Sequence, residues 1–219
     1  MDEALYAAER QNMVEEQIAG RDIRDQRLLA AMREVPRHLF VPEEHRRHAY
    51  HDGPLPIGGG QTISQPYIVA LMTQLLNLTG EETVLEIGTG SGYQAAVLSQ
   101  MAQQVHTIER DRRLAQTAAG VLRELNYANV CVHLGDGSLG LPEYAPYQAI
   151  LITAAAPQAP PVVLEQLAEG GRLVVPVGGR MGQYLEKWQR RGETFEQDVL
   201  VPVAFVPLRG KYGWDNDWG

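Results

Sequence analysis

The chain reads as an α/β protein: a doubly wound, mainly parallel sheet with helices on both faces, preceded by an N-terminal helical cap and closed by an antiparallel C-terminal edge hairpin. Three observations predict this. From residue 83 onward, apolar runs of strand length alternate with stretches of helical period, the pattern of right-handed βαβ units. The first run, Val84-Leu85-Glu86-Ile87, ends in the alternating glycines Gly88, Gly90 and Gly92 before a helical pattern begins. Such a strand–turn–helix junction lets a ligand approach backbone N–H groups that a Cβ would block. The first fifty residues, by contrast, carry helical periodicity and no strand pattern.

Composition sets the outer bounds. The 219 residues, 44% of them apolar, suffice for one domain with a real core. We divide that single domain, 1–219, into a cap and loop (1–78), a βαβ core (79–182) and a hairpin with a tail (183–219). No apolar run has the length needed to cross a bilayer, and the acidic, polar N-terminus does not read as a secretory signal. Cys131 is the only cysteine, so no internal disulfide can form. These features make a cytoplasmic protein the expectation, with no membrane partner. A net charge of -8 argues against general nucleic-acid binding.

In chain order, residues 4–18 form an amphipathic helix with Leu5, Ala8, Val14 and Ile18 inward and Gly20 as its stop. Asp25 caps a second helix built on Leu28, Leu29 and Met32, which Val35-Pro36 ends. His45, His48 and His51 recur every third residue with His38 near. With no accompanying cysteine, and with Pro54 breaking the segment, they read as solvated surface histidines rather than a metal site. Residues 52–66 are dense in glycine and proline, too irregular for helix or strand, with Leu55 and Ile57 as anchors. Ser64 lies where this loop enters a helix over 66–76. Its hydroxyl has two readings, a helix cap or a functional group, and the local sequence leaves both open.

The alternating part predicts strands at 83–87, 104–108, 129–134, 147–153 and 172–177, with helices at 93–101, 112–125 and 162–167. A hairpin pairs 183–189 with 199–206 around Arg191-Gly192-Glu193. In such sheets ligands bind at the carboxyl ends of the strands. Those ends carry Glu86 and the glycine turn, then Glu109, then Asp136 between Gly135 and Gly137, then Thr153-Ala154-Ala155-Ala156. A carboxylate at Glu109 can accept both hydroxyls of a ribose, and one at Asp136 an exocyclic adenine amine. Each acid also has an ordinary structural role open to it, a helix-end pair, a surface ion pair or an Asp-Gly turn. The glycine spacing departs from the dinucleotide fingerprint G-x-G-x-x-G, no Gly-Lys-Ser/Thr follows for a P-loop, and no basic residue stands near the turn. A ligand with ribose and adenine but no phosphate fits better, and S-adenosylmethionine is one.

Leu85-Glu86-Ile87-Gly88-Thr89-Gly90-Ser91-Gly92-Tyr93 resembles the first motif of S-adenosylmethionine-dependent methyltransferases, whose fold is Rossmann-like. Leu55-Pro56-Ile57-Gly58 followed by Gly60-Gln61-Thr62-Ile63-Ser64-Gln65-Pro66 resembles the signature loop of protein-L-isoaspartate O-methyltransferases. Val35-Pro36-Arg37, Phe40-Val41, Gly135-Asp136-Gly137 and Phe205-Val206-Pro207-Leu208 fit the same family. The resemblance implies methyl transfer from S-adenosylmethionine to the α-carboxylate of L-isoaspartyl residues in damaged proteins, leaving S-adenosylhomocysteine. It implies an active-site serine at Ser64 and cofactor contacts at Glu86, Gly88, Thr89, Gly90, Glu109, Arg110, Gly135, Asp136 and Gly137. Thr62, Ile63, Ser64, Ala154 and Ala155 are the expected substrate contacts, and no metal is expected. Ala156 departs from the family's pattern, where some members have proline. Damaged proteins are the expected partners and a monomer the expected state. The tail 211–219, with Trp214 and Trp218, lies outside the shared motifs.

Overall fold

The computed structural model describes residues 2–215, so Trp218 lies outside the described residues. The cap opens with α1 (Glu3–Asn12), which runs on into a π-helical turn, Met13–Ala19. That wider turn breaks the 3.6-residue register the sequence pattern assumes. Leu5 and Ala8, expected inward, are therefore exposed, and Tyr6, Met13, Val14 and Ile18 form the buried stripe. The Tyr6 ring stacks on His38 with centroids 4.0 Å apart, and His38 Nδ1 lies 2.7 Å from the Tyr50 hydroxyl. His38 is thus a core residue and not a solvated one, while His45, His48 and His51 stay at least partly exposed. Helix α2 (Gln26–Glu34) is capped by Asp25, which accepts from the Arg27 and Leu28 N–H groups, and it buries Leu28, Leu29 and Met32.

The segment 52–66 is more ordered than its composition suggests. Strands β1 (Leu55–Gly58) and β2 (Gln61–Ile63) pair antiparallel. The glycines read as breakers are what closes this hairpin, with Gly58, Gly59 and Gly60 all at positive φ. Leu55 and Ile57 pack half-buried against the core. The chain then enters α3 (Pro66–Leu76).

The sheet follows: β3 (Thr83–Ile87), β4 (Gln104–Glu109), β5 (Val130–Leu134), β6 (Tyr147–Ile152), β7 (Leu167–Gly179), β8 (Gly182–Arg191) and β9 (Thr194–Val203). The strand order is β5-β4-β3-β6-β7-β8-β9. The pairs from β5 to β7 are parallel and those on to β9 antiparallel. The chain builds outward from β3 to β5 and then restarts at β6 on the other side of β3, so the strand order reverses between β3 and β6. Helices α4 (Tyr93–Ser99), α5 (Arg112–Glu124) and α6 (Pro161–Leu164) make the crossovers, with 3-10 turns standing in for a helix between β5 and β6.

Alternation assigns the faces. Val84, Val105, Ala149 and Leu151 pack with the cap, α3 and α4, while Leu85, Ile87, Ile108, Ile150 and Ile152 pack with Val163 and Leu164 of α6. Several boundaries differ from expectation: the helix expected over 162–167 ends at Leu164, β9 begins at Thr194 rather than at residue 199, and two further differences have a physical reason. β7 begins at Leu167 rather than at residue 172, because its ladder with β6 shifts register and carries the strand through Gly170-Gly171. β9 ends at Val203 rather than at residue 206, because the chain leaves the edge there. Pro207 bridges Ala155, whose N–H and carbonyl bond the Val206 carbonyl and the Leu208 N–H, both at 2.8 Å.

Candidate active site

The glycine turn between β3 and α4 sits at the reversal of strand order, and its three glycines do three different jobs. Gly88 has φ +101, and a Cβ there would lie 2.4 Å from the Thr153 hydroxyl oxygen. That hydroxyl, 2.6 Å from the Gly88 carbonyl and 3.1 Å from that of Ile87, staples the end of β6 to the turn. Gly90 faces the cleft beneath Ile57 of the β1–β2 hairpin. Gly92 meets Ala118 and Leu122 of α5, so it serves helix packing rather than ligand approach.

Three carboxylates were expected here, and the structure treats them differently. Glu86 is fully buried, and neither of its carboxylate oxygens has a hydrogen-bond partner among the described residues. The neighbouring Thr107 hydroxyl is engaged with that of Thr89 at 2.6 Å. Burial pushes the Glu86 carboxyl up to about 8, Thr107 offsets part of that rise, and the Glu109 charge adds to it. Glu109 is anchored, with one oxygen accepting from the Gly90 N–H at 3.0 Å and the other from the Asp111 N–H at 2.9 Å. A carboxylate oxygen has two acceptor sites, so both keep one free toward the cleft. Asp136 accepts from the Ser138 N–H and hydroxyl on one oxygen and from the Lys211 N–H on the other. Its present role is to cap the 3-10 turn Gly137–Leu139 and tie down the C-terminal segment.

Ser64 stands where two clefts meet. One is lined by Glu86, Gly88, Gly90, Glu109 and Tyr93; the other, of about 490 Å³, runs between Ile68 and the segment Pro202 to Val206, where the chain leaves β9. Both are lined by Thr62, Ser64, Thr153 and Val206. The N-cap of α3 is Gln65 and not Ser64, and no side-chain capping bond forms there. The Ser64 hydroxyl makes no hydrogen bond among the described residues, although its carbonyl accepts from Arg37. The capping role that the local sequence left open is therefore not the one it plays.

Of the residues singled out in the sequence, Thr62, Ile63, Ser64, Glu86, Gly88, Thr89, Gly90, Glu109, Arg110, Gly137 and Ala154 line the first cleft together. Gly135, Asp136 and Ala155 do not, and Ala155 is wholly buried in its bridge to the C-terminal segment. Gln61, Tyr93, Thr153 and the run Val206 to Leu208 lie in stretches that the sequence singles out without giving these residues a role, and Gln94 and Arg209 lie outside them; all line the cleft. The strand end at Thr153 and the family-like motifs that hold Gln61, Tyr93 and Val206-Pro207-Leu208 are the signals that point to them, and Gln94 and Arg209 carry none. The turn is also less free of positive charge than the sequence suggests: Arg110 and Arg209 reach the cleft rim. The Arg209 guanidinium is turned toward the carbonyls of Trp214 and Asp215. No group of three or more metal-ligating side chains occurs among the described residues.

Comparisons with known proteins bear on the family and the fold. A family model described as protein-L-isoaspartate(D-aspartate) O-methyltransferase matches residues 8–213. A protein-L-isoaspartate O-methyltransferase of Methanoregula boonei is 57% identical over 95% of this chain and 96% of its own length. Another, of Roseiflexus castenholzii, is 54% identical over 97% of both chains. Among solved structures, a protein-L-isoaspartate O-methyltransferase superposes with a TM-score of 0.83 at 28% identity, over 93% of this chain and 67% of that one. A Plasmodium falciparum protein in complex with S-adenosyl-L-homocysteine shares the fold at TM-score 0.79 and 24% identity, over 91% of this chain and 98% of that one.

Proposed function

The chain belongs to the protein-L-isoaspartate(D-aspartate) O-methyltransferase family, and we propose how its two clefts carry out that family's reaction. It is an S-adenosylmethionine-dependent protein carboxyl O-methyltransferase. It methylates the α-carboxylate of L-isoaspartyl residues in damaged proteins, and the ester then closes to a succinimide from which repair begins. The observation that carries the reading is the meeting of two clefts at Ser64: one suits the cofactor, the other a polypeptide.

The cofactor cleft fits its ligand by its donor set. Glu86 is a buried carboxylate with no partner, the right complement for a cationic amino group. Glu109 is held by two backbone N–H groups with acceptor capacity left over, the complement of ribose hydroxyls. Thr89, Gly88 and Gly90 supply the close backbone surface, Arg110 and Gly137 complete the wall, and Asp136 acts from behind it by capping the turn that Gly137 begins. When bound, S-adenosylmethionine supplies an electrophilic methyl group on a sulfonium sulfur.

The remaining work is positioning. An α-carboxylate is ionised at neutral pH, with a reference pKa of about 3.5, so it needs no general base. Ser64 donates a hydrogen bond that orients this carboxylate. A neutral hydroxyl blunts the nucleophile less than a lysine would. The β1–β2 hairpin, with Ile57 over Gly90, keeps water from the attacking oxygen. Thr62, Ile63 and Ala154 border the substrate side, and the path of the peptide runs along the second cleft. We also infer a cytoplasmic monomer, which fractionation and light scattering of the purified protein check. No helix among the described residues is long and apolar enough to cross a membrane.

The test is methyl transfer to two peptides that differ only in bearing L-isoaspartate or ordinary aspartate. Labelling of the first alone is expected. Equal labelling, or none, would sink the reading in favour of a small-molecule methyltransferase or a binding module on the same fold.

A further inference from the structure

Ser64 must be held in place, yet its hydroxyl has no bond of its own to hold it, and the chain between β2 and α3 is irregular. The Arg37 guanidinium grips this segment. Arg37 is fully buried in the short 3-10 turn after Pro36. Its Nη2 donates to the Ser64 carbonyl and its Nε to the Ala49 carbonyl, each at 2.7 Å. The guanidinium carbon lies 4.8 Å from the centroid of the Tyr93 ring, and Tyr93 lines the cofactor cleft. No carboxylate pairs with Arg37 among the described residues, and Nη1 is buried without a partner. Desolvation lowers its pKa to about 10.

A buried cation without a counter-charge is costly, and an apolar side chain of similar volume would fill the same space more cheaply. What Arg37 offers that such a side chain does not is a planar fork joining the cap, the active-site loop and a wall of the cofactor cleft. We propose that Arg37 is a positioning residue for methyl transfer: by holding the Ser64 carbonyl while braced on Tyr93, it sets the direction in which the Ser64 hydroxyl meets the substrate carboxylate. Holding that carbonyl fixes the peptide plane between Ser64 and Gln65, and with it the base from which the hydroxyl projects. Misplacement of a reacting group by about 1 Å can cost on the order of 10²-fold in rate. The inference rests on the role assigned to Ser64 above.

The test compares R37K, R37Q, S64A and the double variant R37K/S64A, with kcat and KM measured on an L-isoaspartyl peptide. Calorimetry with S-adenosylhomocysteine reports the integrity of the cofactor cleft. A lysine keeps the charge but cannot span both carbonyls with a fork, so R37K is expected to lower kcat by up to about tenfold, the cost of losing the Ser64 hydroxyl itself, with little change in S-adenosylhomocysteine affinity. In the S64A background the same change is expected to cost less than about threefold more, because its effect runs through Ser64. Full additivity in the double variant overturns the proposal. So does a loss of S-adenosylhomocysteine affinity in step with kcat in both R37K and R37Q, which would assign Arg37 to folding alone. An S64A enzyme of unchanged kcat would instead refute the role of Ser64 itself, and with it the route through which Arg37 acts.

Discussion

Ser64 shows how much of a residue's function is settled by what it does not bond to. A hydroxyl that caps a helix contributes about 1 kcal/mol of stability, and its loss shows as a lower Tm. Here Gln65 takes the N-cap position and the Ser64 hydroxyl is left to the junction of the clefts. Ser64→Ala is therefore expected to change folding stability by less than about 0.5 kcal/mol. It should reduce kcat about tenfold, the size of one hydrogen bond lost in the transition state. Thermal melts and S-adenosylhomocysteine titrations beside the peptide assay check this. A variant whose cofactor affinity collapses together with its rate would show that Ser64 supports the cleft and not the substrate. Glu109 and Asp136 make the complementary point. Both are strand-end acids, but only Glu109 has its backbone bonds arranged so that the carboxylate still faces the cleft.

The glycine turn is the element on which the site is built, and it is held from both sides. Of the three glycines in this turn, Gly88 combines a left-handed backbone with the nearest approach to a side chain, the Thr153 hydroxyl. Gly88→Ala is expected to destabilise the fold by at least about 2 kcal/mol, a fall in Tm of roughly 4–8 °C, and to weaken cofactor binding. Adding Thr153→Ala should recover part of the loss by removing the clash, while the φ strain remains. No recovery would mean that backbone strain alone accounts for the effect. At Gly60 φ is +72 but nothing lies within 4 Å of an added Cβ, so Gly60→Ala should cost only the strain.

At the scale of the molecule, the buried Glu86 makes stability and function pull in opposite directions. Its folded pKa of about 8 lies above the unfolded reference of about 4.3, so between these values the native state holds a proton that the unfolded state has released. The contribution of this group to stability therefore falls as pH rises from about 4 to about 8 and is level beyond. Glu86→Gln is expected to remove that decline: the variant should gain on the wild type across this window, by up to a few kcal/mol, when denaturation is followed against pH without ligand. It should also bind S-adenosylhomocysteine about 10- to 100-fold more weakly, since a buried charge-assisted bond is lost. For the wild type that affinity should rise with pH up to about 8, because the amino group of the ligand needs the ionised carboxylate. Identical pH profiles for the two proteins would show that Glu86 does not titrate as described.

The sequence by itself determined the fold class, the cofactor class and most of the cofactor cleft, because those depend on local patterns. Alternation of period 2 and period 3.6 marks strands and helices whatever surrounds them. Glu86, the glycines and Glu109 fall at strand ends that the same pattern locates. Only the tertiary structure decided the rest. The π-helical turn that turns Tyr6 inward and leaves Leu5 out, and the hairpin closed by the glycines of 52–66, are local geometries that composition does not reveal, while the passage of β7 through Gly170-Gly171 depends on its pairing with β6 and β8. The same holds at the site. Thr153, Tyr93, Arg37 and the run Val206 to Arg209 lie far apart in the chain, and the motifs that most of them belong to do not show where they meet. They reach Ser64 because the sheet reverses its order at β3 and β6 and the chain, on leaving its edge, turns back across that point.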